Sequence, residues 1–216
     1  MLQIVEMTKE RADEALAVVR QGPQQTVTRR MIMHNMLLPR QLFVFLATTL
    51  LLLYVTSSPF LSALIGGCVM PLVYYVIIKD FIDRNDDSFH EMTNRDTFYT
   101  YWQGEGRRMW LALDENGNVT GTIAIAHVTA DVCELYRMSV LSNCRRGGIG
   151  NALVSHLLQY ATNRGYKVVQ LSTLAVLMEA QALYIKHGFR IVKTSSDPTR
   201  VLVEIKKLEK QLVCSG

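Results

Sequence analysis

The chain has 216 residues, 49% of them hydrophobic, and 23 Lys and Arg against 19 Asp and Glu give a formal charge of +4. That excess is small and dispersed, and no Lys/Arg cluster interleaves with aromatics. It therefore argues against nucleic acid as a partner while leaving room for an acidic co-substrate or an anionic lipid surface.

The segment Leu2 to Glu6 reads as a short strand, and a helix follows in which Ala12, Leu16 and Val19 recur at helical spacing before Gly22-Pro23 ends it. The opening MLQIVEMTKERADEA is polar and charged, unlike a signal peptide. A basic, Met-rich stretch from Arg29 to Arg40 leads into a run from Gln41 to Ile78 that contains no Asp, Glu, Lys, Arg or His. As one straight helix that run would measure about 57 Å, against a hydrocarbon core of about 30 Å. Ser57-Ser58-Pro59 divides it near the middle, so the sequence predicts a membrane hairpin of two apolar helices with that break at its tip. A buried core helix is the alternative, but a domain of this size has no room for 38 uncharged residues. Outside the run, about 175 residues remain, enough for one compact domain. After Lys79 the composition flips to KDFIDRNDDSFHEMTNRD, helical in part, whose aspartates read as a solvated face rather than a metal site.

From Arg108 the pattern becomes strand-like. RRMWLALDENGNVTGTIAIAHV is two apolar runs about an Asn-Gly turn, a hairpin signal. CELYRMSV is a further strand, and GIGNALVSHLLQYATNRGY a helix with Leu153, Val154, Leu157, Leu158 and Ala161 on one face, closed by Gly165. KVVQLST is a strand, AVLMEAQALYIKHG a helix ended by Gly188, and FRIVK and VLVEI two closing strands. The fold class is mixed α/β. The four cysteines, Cys68, Cys133, Cys144 and Cys214, lack CxxC or His-paired spacing, which argues against a metal site and a disulfide framework.

The chemistry concentrates in RMSVLSNCRRGGIGNALVSHLL, where a strand ends at Val140 and a helix starts near Ile149. Glycines at 147, 148 and 150 let backbone N–H groups approach a ligand, the helix start adds a positive dipole end, and Arg145 and Arg146 add charge. Such a loop suits a pyrophosphate, and a structural tight turn is the alternative. Arg145-x-x-Gly148-x-Gly150 resembles the signature of the GNAT superfamily of N-acetyltransferases. MWLALDENGNVTGTIAI resembles that superfamily's second and third strands, AQALYIKHGF its closing helix-to-strand motif, and LQIVEMTKERADEALAVV its first strand and helix. LYRMSV, GGIGNALV and the preceding apolar segment are similar to the camello-like group, which contains cysteine-S-conjugate N-acetyltransferases and a membrane-associated aspartate N-acetyltransferase.

The resemblance implies a mixed, mostly antiparallel sheet flanked by helices, acetyl-coenzyme A as co-substrate, a small-molecule amine as substrate and no metal. It assigns the pyrophosphate to Arg145, Arg146, Gly147, Gly148, Ile149, Gly150 and Asn151, and the pantetheine arm and thioester carbonyl to backbone groups of Met138 and Val140. It gives Tyr184 the role of general acid at the sulfur. Glu134 is the candidate base, sharing a face with Tyr136, Met138 and Val140 by strand alternation; a solvated glutamate is the alternative. His127 is the rival base, with a structural histidine as its alternative. Leu177 stands where many members place a cofactor-contacting asparagine, which leaves Ser172 or Thr173 to supply that contact.

The resemblance also constrains topology. The first strand precedes the apolar run and the second follows it, and these two pair in the superfamily. Both ends of the run must then lie on one side of a membrane, through an even number of crossings or a re-entrant hairpin. Arg29, Arg30 and Arg40 before it and Lys79 and Arg84 after it favour the cytosolic side, on the endoplasmic reticulum. The expected organisation is one N-acetyltransferase domain, with its first strand and helix in residues 1–22, a catalytic core at 81–210 and the hairpin at 41–78. Acetylation of protein lysines in the secretory pathway, and an inactive membrane-bound interaction protein, are the alternative functions. Oligomeric state is not encoded in any of these motifs.

Overall fold

A computed structural model describes residues 2–21, 39–56, 58–60, 72, 75–76, 94–196 and 204–212. In chain order the elements are β1 (Gln3–Glu6), α1 (residues 12–21), α2 (Pro39–Thr56), α3 (Arg95–Trp102), β2 (Arg107–Leu113), β3 (Val119–Thr129), β4 (Val132–Val140), a 3-10 turn (Ser142–Cys144), α4 (Ile149–Asn163), β5 (Val168–Leu174), α5 (Met178–Lys186), β6 (Arg190–Ser196) and β7 (Glu204–Gln211).

The strands form one seven-stranded sheet in the order β1-β2-β3-β4-β5-β7-β6. Every neighbouring pair is antiparallel except β4 with β5. This is the mixed, mostly antiparallel sheet the sequence implies. Gln3 partners Leu113 and Glu6 partners Trp110, so β1 and β2 are hydrogen-bonded neighbours although the apolar run separates them in sequence. Residues 1–25 and 90–216 form one compact unit and residues 26–89 a second.

Alternation along β2 sorts the core into two faces. Trp110 and Ala112 join Ile123, Ile125, Cys133 and Leu135 in a cluster with Leu153, Val154, Leu157 and Ala161 of α4. The amphipathic stripe read from the sequence is therefore the stripe that is buried. Trp110 packs edge-on against Tyr160 of α4, with ring centroids 4.7 Å apart. Met109 and Leu111 point the other way; they are fully buried, as are Phe98 and Trp102 of α3 and Ala12 and Leu16 of α1. Asn94 caps α3 by accepting from the Thr97 amide at 2.9 Å. The Asn116-Gly117 signal lies in a longer turn, Asp114–Asn118, with Gly117 at φ +81° and the Asp114 carboxylate accepting from the Asn116 and Asn118 amides. The Asn118 side-chain amide, which also donates to it at 3.1 Å, and then the Asn118 backbone N–H hold the Asp114 carboxyl below its ordinary pKa.

Two expectations need correction. The last strand, Glu204–Gln211, takes in only Glu204 and Ile205 of VLVEI and runs six residues further, with residues 201–203 outside the described residues: fully buried Leu208 anchors it to the core between charged neighbours. The membrane hairpin is also not found as drawn. Among the described residues no helix is long and apolar enough to cross a membrane. Helix α2 starts at Pro39 with Arg40 and Gln41 in its first turn and ends at Thr56, just before the Ser-Ser-Pro break. Its uncharged remainder therefore falls short of a full span at 1.5 Å per residue. The second expected helix lies largely outside the described residues, as does most of the charged stretch after Lys79.

Candidate active site

The parallel pair at the sheet's centre is short. β4 and β5 run in register only from Val132↔Val168 to Leu135↔Leu171. Beyond that point β4 continues to Val140 against β3, while β5 continues to Leu174 against β7. Strands that follow different partners diverge, so from Tyr136 to Val140 the β4 edge turned away from β3 has no strand ladder among the described residues. A bulge accompanies the divergence: the β3–β4 register slips between Thr122↔Ser139 and Ala124↔Tyr136. Arg137 sits there at φ +49°, and the Thr122 hydroxyl donates to its carbonyl at 2.9 Å.

The bulge overturns the expectation that Glu134 shares a face with Met138 and Val140. One extra residue inverts the alternation. Glu134 and Tyr136 lie on the α3 side, where the Tyr136 ring stands 6.1 Å from that of Trp102. Met138 and Val140 instead pack on the cluster that contains Cys133, Leu135 and α4. One strand thus presents its carboxylate to one face and its later side chains to the other, with the free backbone edge between them.

The loop after β4 is pinned at both ends. The Leu141 amide donates to the Thr120 carbonyl at 3.0 Å, and Arg145 Nε donates to the Val140 carbonyl at 3.2 Å. Arg146 at φ +67° and Gly148 at φ +84° then turn the chain into α4. No side chain caps this helix start, so its first-turn amides face outward beside exposed Arg145 and Arg146. A Cβ on Gly148 would meet nothing within 4 Å, which leaves the approach to those amides open. Gly150 has a different task. A Cβ there would come 3.1 Å from Met138 Cε and 3.2 Å from Leu183 Cδ2, so its bareness lets β4, α4 and α5 converge. Asn151 Oδ1 lies 3.3 Å from His187 Nε2, tying the first turn of α4 to the end of α5. Burial first, then the charges of Lys210 and Lys186, holds His187 below its ordinary pKa. This open cradle and unladdered edge fit a co-substrate with a pyrophosphate and an amide-bearing arm.

Tyr184 projects from α5 into the core cluster, 5% exposed, with its ring edge-on to Phe189 at 5.8 Å. Burial pushes its phenol well above the ordinary range, which keeps it protonated and able to donate. Glu134 stands one residue before the divergence and accepts from Gln170 Nε2 at 3.0 Å. Tyr136 neighbours it; burial first, then the charge of Glu134 and a hydrogen bond to it, raises that phenol to about 12. His127 is not part of this group. It follows Ala126 on β3 with its side chain to the opposite face, and its Nδ1 lies 3.1 Å from the Tyr166 hydroxyl. Burial raises the Cys133 thiol to about 12, which makes it a packing residue rather than a nucleophile. Leu177 occupies the N-cap of α5 without a side-chain cap bond; nearby Thr173 is half-buried and Ser172 exposed. Tyr136 belongs to the LYRMSV stretch, whereas Gln170, Tyr101 and Trp102 join the site without any sequence motif. Only the cross-strand register and the placement of α3 bring them together.

Comparison with known proteins agrees with this geometry. Residues 75–189 match the model of the Acetyltransferase (GNAT) family. The chain belongs to this family, whose co-substrate is acetyl-coenzyme A. N-acetylaspartate synthetase of Rattus norvegicus is 33% identical over 154 residues, covering 70% of this chain and 50% of that protein. N-acetyltransferase 8 of Rattus norvegicus is 29% identical over 162 residues, covering 73% of this chain and 72% of that protein. The chain thus spans about half the length of the synthetases it matches. An N-acetyltransferase of Staphylococcus aureus Mu50 superimposes with a TM-score of 0.61 at 15% identity over 98% of both chains, a likeness of fold.

Proposed function

We propose that this chain transfers acetyl from acetyl-coenzyme A to the amine of a small amphiphilic substrate, such as a cysteine S-conjugate, beside a membrane. The observation that carries the reading is the cleft that opens between β4 and β5 after Leu135 and Leu171, next to the uncapped start of α4. Family membership supports the acyl-transfer chemistry, and a relative named for N-acetylaspartate supports a small amino-bearing acceptor.

Acetyl-coenzyme A, when bound, supplies an activated acetyl thioester. Arg145, Arg146 and the amides from Gly147 through Gly148, Ile149 and Gly150 to Asn151 would hold its pyrophosphate. Backbone groups of Met138 and Val140 would take the arm and the thioester carbonyl. Glu134 would accept the proton that the acceptor ammonium loses before its nitrogen bonds to the acetyl carbon. Tyr184 would give its proton to the sulfur as the carbon–sulfur bond breaks.

Membrane association is supported by the uncharged run and by the outward-facing apolar side chains of α2, among them Phe43 at 71% and Val55 at 70% exposure. Because β1 and β2 pair, a run inserted between them has to return to its starting side. The basic residues at both ends support the cytosolic face of the endoplasmic reticulum for the catalytic unit.

The test offers the purified protein, with acetyl-coenzyme A, S-benzylcysteine and a lysine peptide side by side. Thiol release with S-benzylcysteine is expected; release with the peptide alone would overturn the small-amphiphile reading. If acetyl-coenzyme A failed to raise thermal stability, the enzymatic reading itself would fall.

A further inference from the structure

Cross-strand register places four residues in one row on one face of the sheet: Arg107↔Ala126, Ala126↔Glu134 and Glu134↔Gln170. Directly paired residues project to the same side, and no bulge interrupts these three pairings. A guanidinium and a carboxylate therefore flank the smallest side chain of the row. With neighbouring strands about 4.8 Å apart, the Cα atoms of Arg107 and Glu134 stand about 10 Å apart across Ala126. That interval suits a small molecule bearing one positive and one negative end.

Arg107 differs from the other arginines around it. Arg95 pairs with Asp13 and Asp96, and Arg108 with Glu6. Arg107 makes no ion pair among the described residues; its guanidinium lies over the Tyr101 ring, 4.3 Å from the centroid. Stacking on an aromatic face fixes the plane of the fork while leaving its N–H edges available. Tyr101 is packed edge-on against Trp102, and Trp102 faces Tyr136, so an aromatic wall runs from Arg107 to Glu134. The buried indole N–H of Trp102 has no acceptor in this wall. At the other end of the row Gln170 holds the Glu134 carboxylate, one residue before the cleft opens.

We infer that Arg107 binds the carboxylate of an α-amino-acid acceptor, with Ala126 as the floor beneath it and Glu134 at its amine. This deepens the N-acetyltransferase reading and rests on it. The fork of Arg107 matches a carboxylate bidentately, which a lysine cannot reproduce. An amine at Glu134 lies beside the edge of β4 assigned to the thioester.

The experiment measures acceptor binding by calorimetry and initial rates, using full-length protein saturated with coenzyme A for binding and with acetyl-coenzyme A for rates. The probes are S-benzylcysteine, L-aspartate and the α-carboxamide of each. Wild-type protein should bind at least one of the two acids, and bind it 10- to 100-fold more tightly than its carboxamide. In Arg107→Met that preference should vanish through a rise in acceptor KM, with the acetyl-coenzyme A KM unchanged; Arg107→Lys should restore only part of it. Ala126→Val, which raises the floor without touching a charge, should weaken both acid and carboxamide. Equal binding of acid and carboxamide by wild type, an undiminished preference in Arg107→Met, or no acceptor binding by protein that binds acetyl-coenzyme A would each overturn the inference and leave the transferase reading standing. Failure to bind acetyl-coenzyme A would overturn that reading, and the inference with it.

Discussion

Tyr184→Phe removes one oxygen from the centre of the proposed mechanism. The ring sits 5% exposed, edge-on to Phe189 at 5.8 Å, and its packing does not depend on the hydroxyl. No hydrogen bond to that hydroxyl is formed among the described residues, so no buried partner is orphaned by its loss. The substitution should therefore change the melting temperature by no more than about 2 °C, on a scale where 1 kcal/mol is worth roughly 2–4 °C for a chain of this size. Its effect on turnover should be large. A positioned general acid contributes about 10²- to 10⁴-fold. We expect kcat to fall about 10²- to 10³-fold, equivalent to roughly 3–4 kcal/mol of barrier. The KM for acetyl-coenzyme A should hardly move, because the pyrophosphate cradle lies elsewhere. Stopped-flow thiol detection with S-benzylcysteine, paired with differential scanning fluorimetry, reads both quantities. Retention of more than a third of wild-type kcat by a normally folded variant would refute the acid role and leave Tyr184 as packing.

Further outcomes follow from other parts of the molecule. Glu134→Gln should lower kcat by about 10²-fold or more with the acetyl-coenzyme A KM unchanged, whereas Gln170→Ala, which removes one donor to the carboxylate, should cost less; an unaltered kcat in Glu134→Gln would exclude the base. Gly148→Val places a branched side chain at φ +84° and should weaken coenzyme A binding at least tenfold by calorimetry. Leu157→Ala empties a fully buried site in the α4 cluster and should cost about 3 kcal/mol, roughly 10 °C in melting temperature. For Tyr136, the raised pKa means that its contribution to stability is complete below about pH 10 and declines as the pH rises towards 12. Urea midpoints measured between pH 9 and pH 11.5 should accordingly fall less steeply in Tyr136→Phe than in wild type. Finally, Asn118 should carry no glycan in cells, as a cytosolic catalytic unit requires; a glycan there would place this turn in the lumen.

What could be read from the residues depended on how local the determining physics is. Glycines at 147, 148 and 150 mark the loop because a backbone that must bare its amides leaves a compositional trace. The α4 stripe of Leu153, Leu157 and Ala161 was equally legible, since period and burial coincide. Arg137 was not. It adopts a left-handed conformation with no glycine or asparagine to announce it, and the inversion of faces that follows cannot be seen from alternation alone. The partnership of Glu134 with Gln170 depends on strand register, which tertiary structure sets. Leu208 shows the same limit at the C-terminal side. A strand rich in lysine and glutamate is held by one buried leucine, and the more apolar VLVEI, of which the strand includes only Glu204 and Ile205, was the stronger local signal.

The pairing of Gln3 with Leu113 sets the order in which this protein can assemble on the ribosome. At about 5–20 residues per second, β1 waits on the order of ten seconds for its neighbour β2 to be synthesised. The insertion emerges during that interval, before the sheet that its two ends must join. In the proposed membrane-associated form, delivery of the apolar run would therefore precede closure of the catalytic unit. On that proposal the enzyme would complete its first two strands only after its location had been decided.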